Sequence, residues 1–315
     1  VAFEISELIR DYLEKEYYNL AVDAVWVKVD DTQTFSGGST TTGTATYLGL
    51  DGFGYFQEGI NPRTNQTPMV LQSNLCINFV KGRDIRIPVF SEAEPTIVTT
   101  AGGSNVWNLV DKFWEAASND WDTATNSQDV VDSNISGNKI QYVILTSDFL
   151  NTGETITVTS TVGPSQQQVL TLNEICEPKF EPIRGIFYNK WGALQSYWFS
   201  KKSTVTTSTK SENFKRNTID FTGTPAYSIY KHNKQRFNVV ADQKINVNTP
   251  LQGDCLNEPL EQMIMSEYIW LEDESSTKPV LIKTESVKRL TGVNDKMIQY
   301  SVDFDYAYSK INMVR

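Results

Sequence analysis

Reactive side chains are scarce in this chain of 315 residues, which holds one histidine and three cysteines. A Ser-His-Asp triad or a histidine-bearing zinc centre would have to be built around His232 alone, and that residue sits in YKHNKQRF, a polar turn flanked by lysines. It reads as a surface histidine. Cys76, Cys176 and Cys255 form neither a CxxC pair nor an even-numbered framework, so they read as buried thiols of a protein made in a reducing cell. Long apolar runs are also absent: nothing approaches the ~18 residues that a membrane span needs. The first ten residues lack the basic-then-apolar order of an export signal, so a soluble, unexported protein without membrane insertion is expected. The net charge of −10 contains no block of five or six like charges and reads as solubility. The densest basic stretch, Lys201, Lys202, Lys210, Lys215 and Arg216, is diluted by Ser and Thr, so no direct nucleic-acid binding is expected. No repeat of fixed period is present, which disfavours a solenoid or a propeller.

Local motifs for chemistry fail one by one. Gly52, Gly54 and Gly59 are spaced wrongly for a nucleotide fingerprint and stand among aromatic strand formers, so tight backbone geometry explains them better. Asp120, Asp122 and Asn126 lack the glycine and terminal glutamate of a calcium loop. The sequons at Asn65-Gln66-Thr67 and Asn134-Ile135-Ser136 are chance matches in an unexported chain. Glu272, Asp273 and Glu274 are adjacent acids in a polar loop, which is ordinarily a solvated cluster, although glycosidases need only two carboxylates and leave no local motif. No catalytic residue, metal ligand or cofactor is assigned, and the chain is expected not to be an enzyme.

What is abundant is strand-forming sequence. Aromatics make up 11% of the residues, enough for a core of rings and β-branched side chains. Period-two alternation marks Val25, Val27 and Val29; Ile140, Tyr142 and Ile144; Ile156, Val158 and Val162; and a closing strand, Met297–Tyr308, that sets Tyr300, Val302, Phe304, Tyr306 and Tyr308 against Ser301, Asp303 and Asp305. Further strands are expected at 69–79, 84–90, 169–175, 237–240, 244–248, 268–271 and 280–283. Thr32–Thr46 is a Gly- and Thr-rich hairpin tip or loop, and Ser203–Ser211 a polar strand or arm.

Helical spacing appears at Ile5–Glu16, at Val106–Ala117, and after Asn257, where Pro259 suits a first turn and Leu260, Met263 and Ile264 make the stripe. The chain is therefore read as mainly β, two β-sandwich-like domains with a few short helices. Residues 1–176 form an N-terminal β domain with a short leading helix, and 177–315 a C-terminal β domain.

Aromatic residues cluster at Trp191, Tyr197, Trp198 and Phe199 and again at Tyr55 and Phe56. They are candidates for a subunit interface or a glycan-stacking platform, with core packing the other reading at Trp191, Tyr197, Trp198 and Phe199, and large exposed aromatic faces suit a protein that neighbours will cover. The stretches LGLDGFGYFQEGIN, IRIPVF, IRGIFYNKWGALQSYWFSKKS, SENFKRNT, PVLIKTESV and NDKMIQYSVDFDYAYSKIN resemble virion structural proteins of tailed bacteriophages, in texture and order over most of the chain. The resemblance implies a structural subunit of a tail assembly, at the baseplate, tail tip or neck. It would form a symmetric ring with copies of itself and contact other tail proteins in a virion assembled in the host cytoplasm, and no catalytic residues come with it. Two other readings stay open: a carbohydrate- or receptor-binding tail adhesin using Trp191 and Trp198, and a carboxylate-dependent glycoside hydrolase.

Overall fold

A computed structural model of the chain describes residues 6–11, 13, 15, 17–18, 24–34, 38, 40–59, 70–89, 96–99, 105–108, 140–147, 150–159, 167–175, 179–219, 222–284 and 299–311. Within them the chain is mainly β. A short helix, α1 (Ser6–Arg10), precedes β1 (Ala24–Thr34), β2 (Thr40–Leu50), β3 (Cys76–Phe79), β4 (Ile85–Val89), β5 (Thr96–Thr99), β6 (Asn105–Asn108), β7 (Gln141–Leu145), β8 (Thr155–Thr159) and β9 (Gln167–Glu174). Then follow β10 (Ile183–Tyr188), β11 (Leu194–Phe199), β12 (Thr204–Lys215), β13 (Lys234–Asn248), the helix α2 (Asn257–Met265), β14 (Ile269–Glu272), β15 (Thr277–Ile282) and β16 (Ser301–Tyr306).

Two apolar clusters organise these elements. In the first, a five-stranded sheet ordered β3-β9-β8-β5-β6 and the β4-β7 pair share one core. Ile156, Val158, Leu170 and Leu172 from one sheet meet Ile85, Ile87, Val143 and Leu145 from the other, all buried. In β4, β7, β8 and β9 alternate residues point inward, as two facing sheets require. The β3–β9 pair is parallel, Cys76 standing opposite Thr171, while the other pairings of this region are antiparallel.

The second cluster lies on one face of an antiparallel seven-stranded sheet ordered β11-β10-β14-β15-β16-β13-β12. Phe187, Phe199, Val247, Leu271, Val302 and Phe304 are buried there beneath Leu256, Leu260 and Met263 of α2 and its preceding turn. On the opposite face, Ile186, Tyr188 and Leu194 pack with Tyr17, Tyr18, Tyr142 and Trp270. All six residues of β10 are therefore buried, which is why IRGIFY reads as a nearly unbroken apolar run and does not alternate. The closing strand does alternate: Val302 and Phe304 are buried and Ser301 and Asp303 exposed.

Several local expectations need correction. Val106 and Trp107 belong to strand β6 and pair with Val98 and Ile97, because backbone pairing overrides a helical spacing of so few residues; positions 109–117 lie outside the described residues. Helix α1 stops at Arg10, short of Glu16, closed by a Leu13 N–H to Arg10 carbonyl bond. Residues 237–240 and 244–248 are one continuous strand, β13, whose partner is the polar segment β12. Main-chain hydrogen bonds carry β13 across Asp242 and Gln243, whose polarity looks like a break only at the side-chain level. Asn257 does not cap α2: the cap position is Leu256, and the Asn257 side chain accepts a 3.0 Å hydrogen bond from Tyr300 Oη. Cys255 is exposed and Cys76 half-buried, so neither is a buried thiol, and Cys176 lies outside the described residues.

Candidate interaction surface

The six aromatic candidates separate into core and surface. Tyr197, Trp198 and Phe199 are buried, so they form neither a glycan platform nor a surface for a partner. The reason is the two-sided burial of β10 and β11. Tyr197 and Phe199 face the cluster under α2, with Tyr197 Oη donating to Gln252 Oε1 at 2.7 Å. Trp198 faces the other way and is covered by the Arg184 guanidinium, 4.9 Å from its ring centre. Burial pushes the Tyr197 hydroxyl well above the usual phenol range. Trp191 is half-buried, Tyr55 half-buried, and Phe56 fully exposed at 103%.

Tyr55 and Phe56 lie on a loop, residues 51–59, docked on the turn between β10 and β11. Two glycines permit the approach: a Cβ on Gly52 would stand 2.3 Å from the Lys190 carbonyl oxygen, and one on Gly192, at φ +73°, 2.6 Å from that of Asp51. Phe53 N–H donates to the same Lys190 oxygen at 2.8 Å. The Lys190 ammonium lies 3.3 Å from both Glu58 and Glu258 and covers the rings of Tyr55 and Trp191 at 5.9 and 5.2 Å. Burial, with the nearby carboxylates of Glu261, Glu258 and Glu58, pushes the Tyr55 hydroxyl up to about 12. Phe53 and Phe56 are left facing solvent at the edge of this loop.

The larger exposed feature is the hairpin of β12 and β13. Their register runs from Thr204–Asn246 to Lys215–Lys234, with an irregularity between Lys210 and Glu212. Only the base is held by the sheet, because β13 pairs with β16 over Lys244–Asn248 alone. Beyond Ala241, whose carbonyl accepts from Lys310 N–H at 2.9 Å, the two strands pair only with each other and extend ~20 Å as a two-stranded ribbon. Phe214 and Phe237 make an edge-to-face pair at 5.5 Å along it, both partly exposed. At the end lie Tyr227, Ile229 and Tyr230, the last two 81% and 87% exposed, followed by exposed His232.

Charge is uneven in a way that the whole-chain total conceals. Residues 201–244 contain nine Lys and Arg against three Asp and Glu, a net of +6, whereas the rest of the chain carries 19 against 35, a net of −16. The hairpin is thus a basic, aromatic-tipped arm on an acidic body. A groove of about 330 Å³ opens on that body beside α1; Ile9, Leu13, Leu50 and Met265 line it, with Glu7, Asp51 and Glu267 as its acids and Lys15 and Arg10 paired with the last two.

The acidic loop is occupied by structural contacts. Asp273 accepts from the N–H groups and hydroxyls of Ser275 and Ser276 and pairs with Lys278 at 2.8 Å. Against the opposing effect of its burial, these contacts hold its carboxyl far below the usual carboxylate range. Glu274 meets Arg83 at 3.2 Å, and Glu272 accepts from Tyr17 Oη at 2.8 Å while lying 3.5 Å from Arg184. Arg184, 1% exposed, bonds Asp84 at 2.6 Å, and Asp84 also pairs with Arg86. Burial alone would raise the Asp84 carboxyl; Arg184 and Arg86 outweigh it and hold the group at about 2. The cavity beside this triad, lined by Asn74, Asp84, Arg86 and Ser196 among others, measures about 30 Å³, room for a water molecule and not for a substrate.

Among the described residues no three His, Cys, Asp or Glu side chains are grouped to hold a metal ion, and the Asp120–Asn126 segment and both sequons lie outside them. No helix of the described residues is long and apolar enough to cross a membrane. No protein-family model matches the chain, and no curated protein and no solved structure matches it either.

Proposed function

We propose that this chain is a structural, non-enzymatic subunit of a tailed-phage virion. It assembles in the host cytoplasm with copies of itself and with other tail proteins. The observation that carries the reading is the arm. A two-stranded ribbon with solvent on both faces is at best marginally stable by itself, and this one exposes a row of aromatic and aliphatic side chains as well. Such an element is sustained by a neighbour that covers it. Its net charge of +6 against −16 for the rest of the chain favours the body of a second copy as that neighbour. The groove beside α1 offers apolar walls for Tyr227, Ile229 or Tyr230; of its acids, Asp51 and Glu267 are already paired with Lys15 and Arg10, which leaves Glu7 to meet an incoming cation. Arm into body is a head-to-tail contact, which closes into a ring when the rotation per subunit permits.

Native mass spectrometry and negative-stain imaging of the purified chain test this, followed by co-expression with the structural proteins encoded beside it. The expected result is a closed oligomer that dissociates as salt rises and that enters tail particles. A chain that stays monomeric at high concentration and never joins a particle would overturn the reading. Arm-dependent retention of DNA or RNA by a monomeric chain would redirect it to a nucleic-acid partner.

A further inference from the structure

Cys76 and Cys255, 179 positions apart in the chain, are neighbours in space. The side-chain amide of Asn74 donates to both of their carbonyl oxygens, at 2.9 Å to Cys76 and 2.8 Å to Cys255. One nitrogen bonded to both carbonyls sets the two backbones side by side, the arrangement in which a disulfide, ~4.4–6.8 Å between Cα atoms, can form. Cys76 stands near enough to the Cys255 thiol to disfavour its ionisation. Cys76 and Asn74 line the small cavity at the junction together with Leu256, the residue after Cys255. Cys255 is exposed, so a small oxidant reaches the pair from solvent.

We infer that Cys76 and Cys255 are a dithiol site that closes to an intramolecular disulfide when the protein meets a low-molecular-weight disulfide. The chemistry is thiol–disulfide exchange. The Cys76 sulfur, as thiolate, attacks one sulfur of the small disulfide; the S–S bond breaks and one small thiol leaves, taking up a proton. Cys255 then gives up its proton, attacks the Cys76 sulfur of the mixed disulfide, and releases the second small thiol. Two protein thiols are oxidised, one small disulfide is reduced to two thiols, and no other reagent is consumed. Cys255 comes second because partial desolvation, together with the neighbouring Cys76, pushes its thiol up to about 12. Closure is consequently faster in mildly alkaline solution.

The bond joins β3, in the sheet of the first cluster, to the turn that leads into α2 over the second. It ties the two cores together, and it closes a long loop, the arrangement that constrains the unfolded chain most. The inference rests on the geometry of this pair alone and is independent of the assembly reading.

Peptide mapping of the full chain after incubation with oxidised glutathione tests it, with non-reducing digestion and mass spectrometry. The expected product is a Cys76–Cys255 linked peptide, an intact mass lower by two hydrogen atoms, and a Tm raised by several degrees. Cys76→Ser and Cys255→Ser should each leave the other thiol as a stable mixed disulfide with glutathione. Cys176→Ser should leave the linkage in place, and if that variant fails to fold the wild-type map still identifies the pair. The same treatment in concentrated guanidinium should scatter the linkage among the three cysteines. A folded wild-type chain whose Cys76 and Cys255 become glutathionylated separately, or stay open to alkylation, would overturn the proposal.

Discussion

Arg184 of β10 and Asp84, beside β4, meet at 2.6 Å across the junction of the two apolar clusters, and each is the other's principal charged partner. The arginine is the largest fully buried side chain of the described residues. Its remaining carboxylate, Glu272, is more distant at 3.5 Å. Asp84→Ala leaves that buried charge poorly matched, so stability should fall by about 3 kcal/mol, the usual cost of removing one member of a buried pair. Chemical denaturation followed by tryptophan fluorescence measures it, and a loss below ~1 kcal/mol would show that water takes over the role of the carboxylate.

The same pair sets an acid limit. Asp84 has a folded-state pKa of about 2, below its value of 3.8 in a free chain, so the native state binds fewer protons in that range. Its contribution is complete above about pH 4 and is lost as pH falls towards about 2; allowing for partial solvent screening it amounts to about 1–2 kcal/mol. Asp273, also depressed, adds loss in the same direction. Denaturation midpoints at several acidic pH values should decline for the wild type and decline less for Asp84→Asn, whose starting stability is already lower.

Gly52 tests the docking of the 51–59 loop. Alanine there places a methyl group 2.3 Å from a backbone oxygen that cannot swing aside as a side-chain end would. A loss of about 1–3 kcal/mol is expected, together with greater protease sensitivity of the loop. Gly54→Ala is the control, since its Cβ would meet only the end of the Glu58 side chain, at 3.9 Å.

Phe199 and Phe56 should respond in opposite ways. Phe199→Ala empties a packed site against Tyr197 and Phe304 and should cost about 3–5 kcal/mol. Phe56→Ala, at a fully exposed position, should change stability by less than about 0.5 kcal/mol. Equal losses in thermal or chemical melts would contradict this division into core and surface.

Replacing Tyr227, Ile229 and Tyr230 together by serine should leave the monomer's circular dichroism and Tm unchanged while raising the concentration needed for association at least tenfold. Sedimentation velocity across a dilution series reads both states. Association that is indifferent to these three residues would move the contact away from the tip.

Legibility in the sequence followed the kind of burial. Where one face of a strand is wet, as in Ser301–Tyr306, alternation discloses the strand and its inward side. Where both faces are covered, as at Tyr197, Trp198 and Phe199, the same residues suggest either a core or a platform, and only the sheet order decides. The helix after Leu256 was announced by Pro259 and its apolar stripe. Strand β13 was not legible as one element, because its backbone bonds continue through polar residues. The approach of Cys76 to Cys255, the burial of Arg184 and the contact of Gly52 with Lys190 join distant parts of the chain, and no local pattern encodes them. The basic arm was countable in the sequence, but its meaning required knowing that Thr204–Lys215 and Lys234–Asn248 pair as one hairpin whose far part projects from the sheet.

That hairpin must also survive the interval before any neighbour arrives. A bare strand edge recruits other strands indiscriminately, yet Lys210 and Lys215 stand on the outermost strand and Lys202 just before it. A strand sliding onto this edge has to accommodate those ammonium groups, and two copies brought together edge to edge repel. Under the proposed assembly the lysines would act as a time-keeping device as well as a docking charge. They would keep newly made chains apart until an acidic surface is offered, and the order of assembly would be protected by the same residues that complete it.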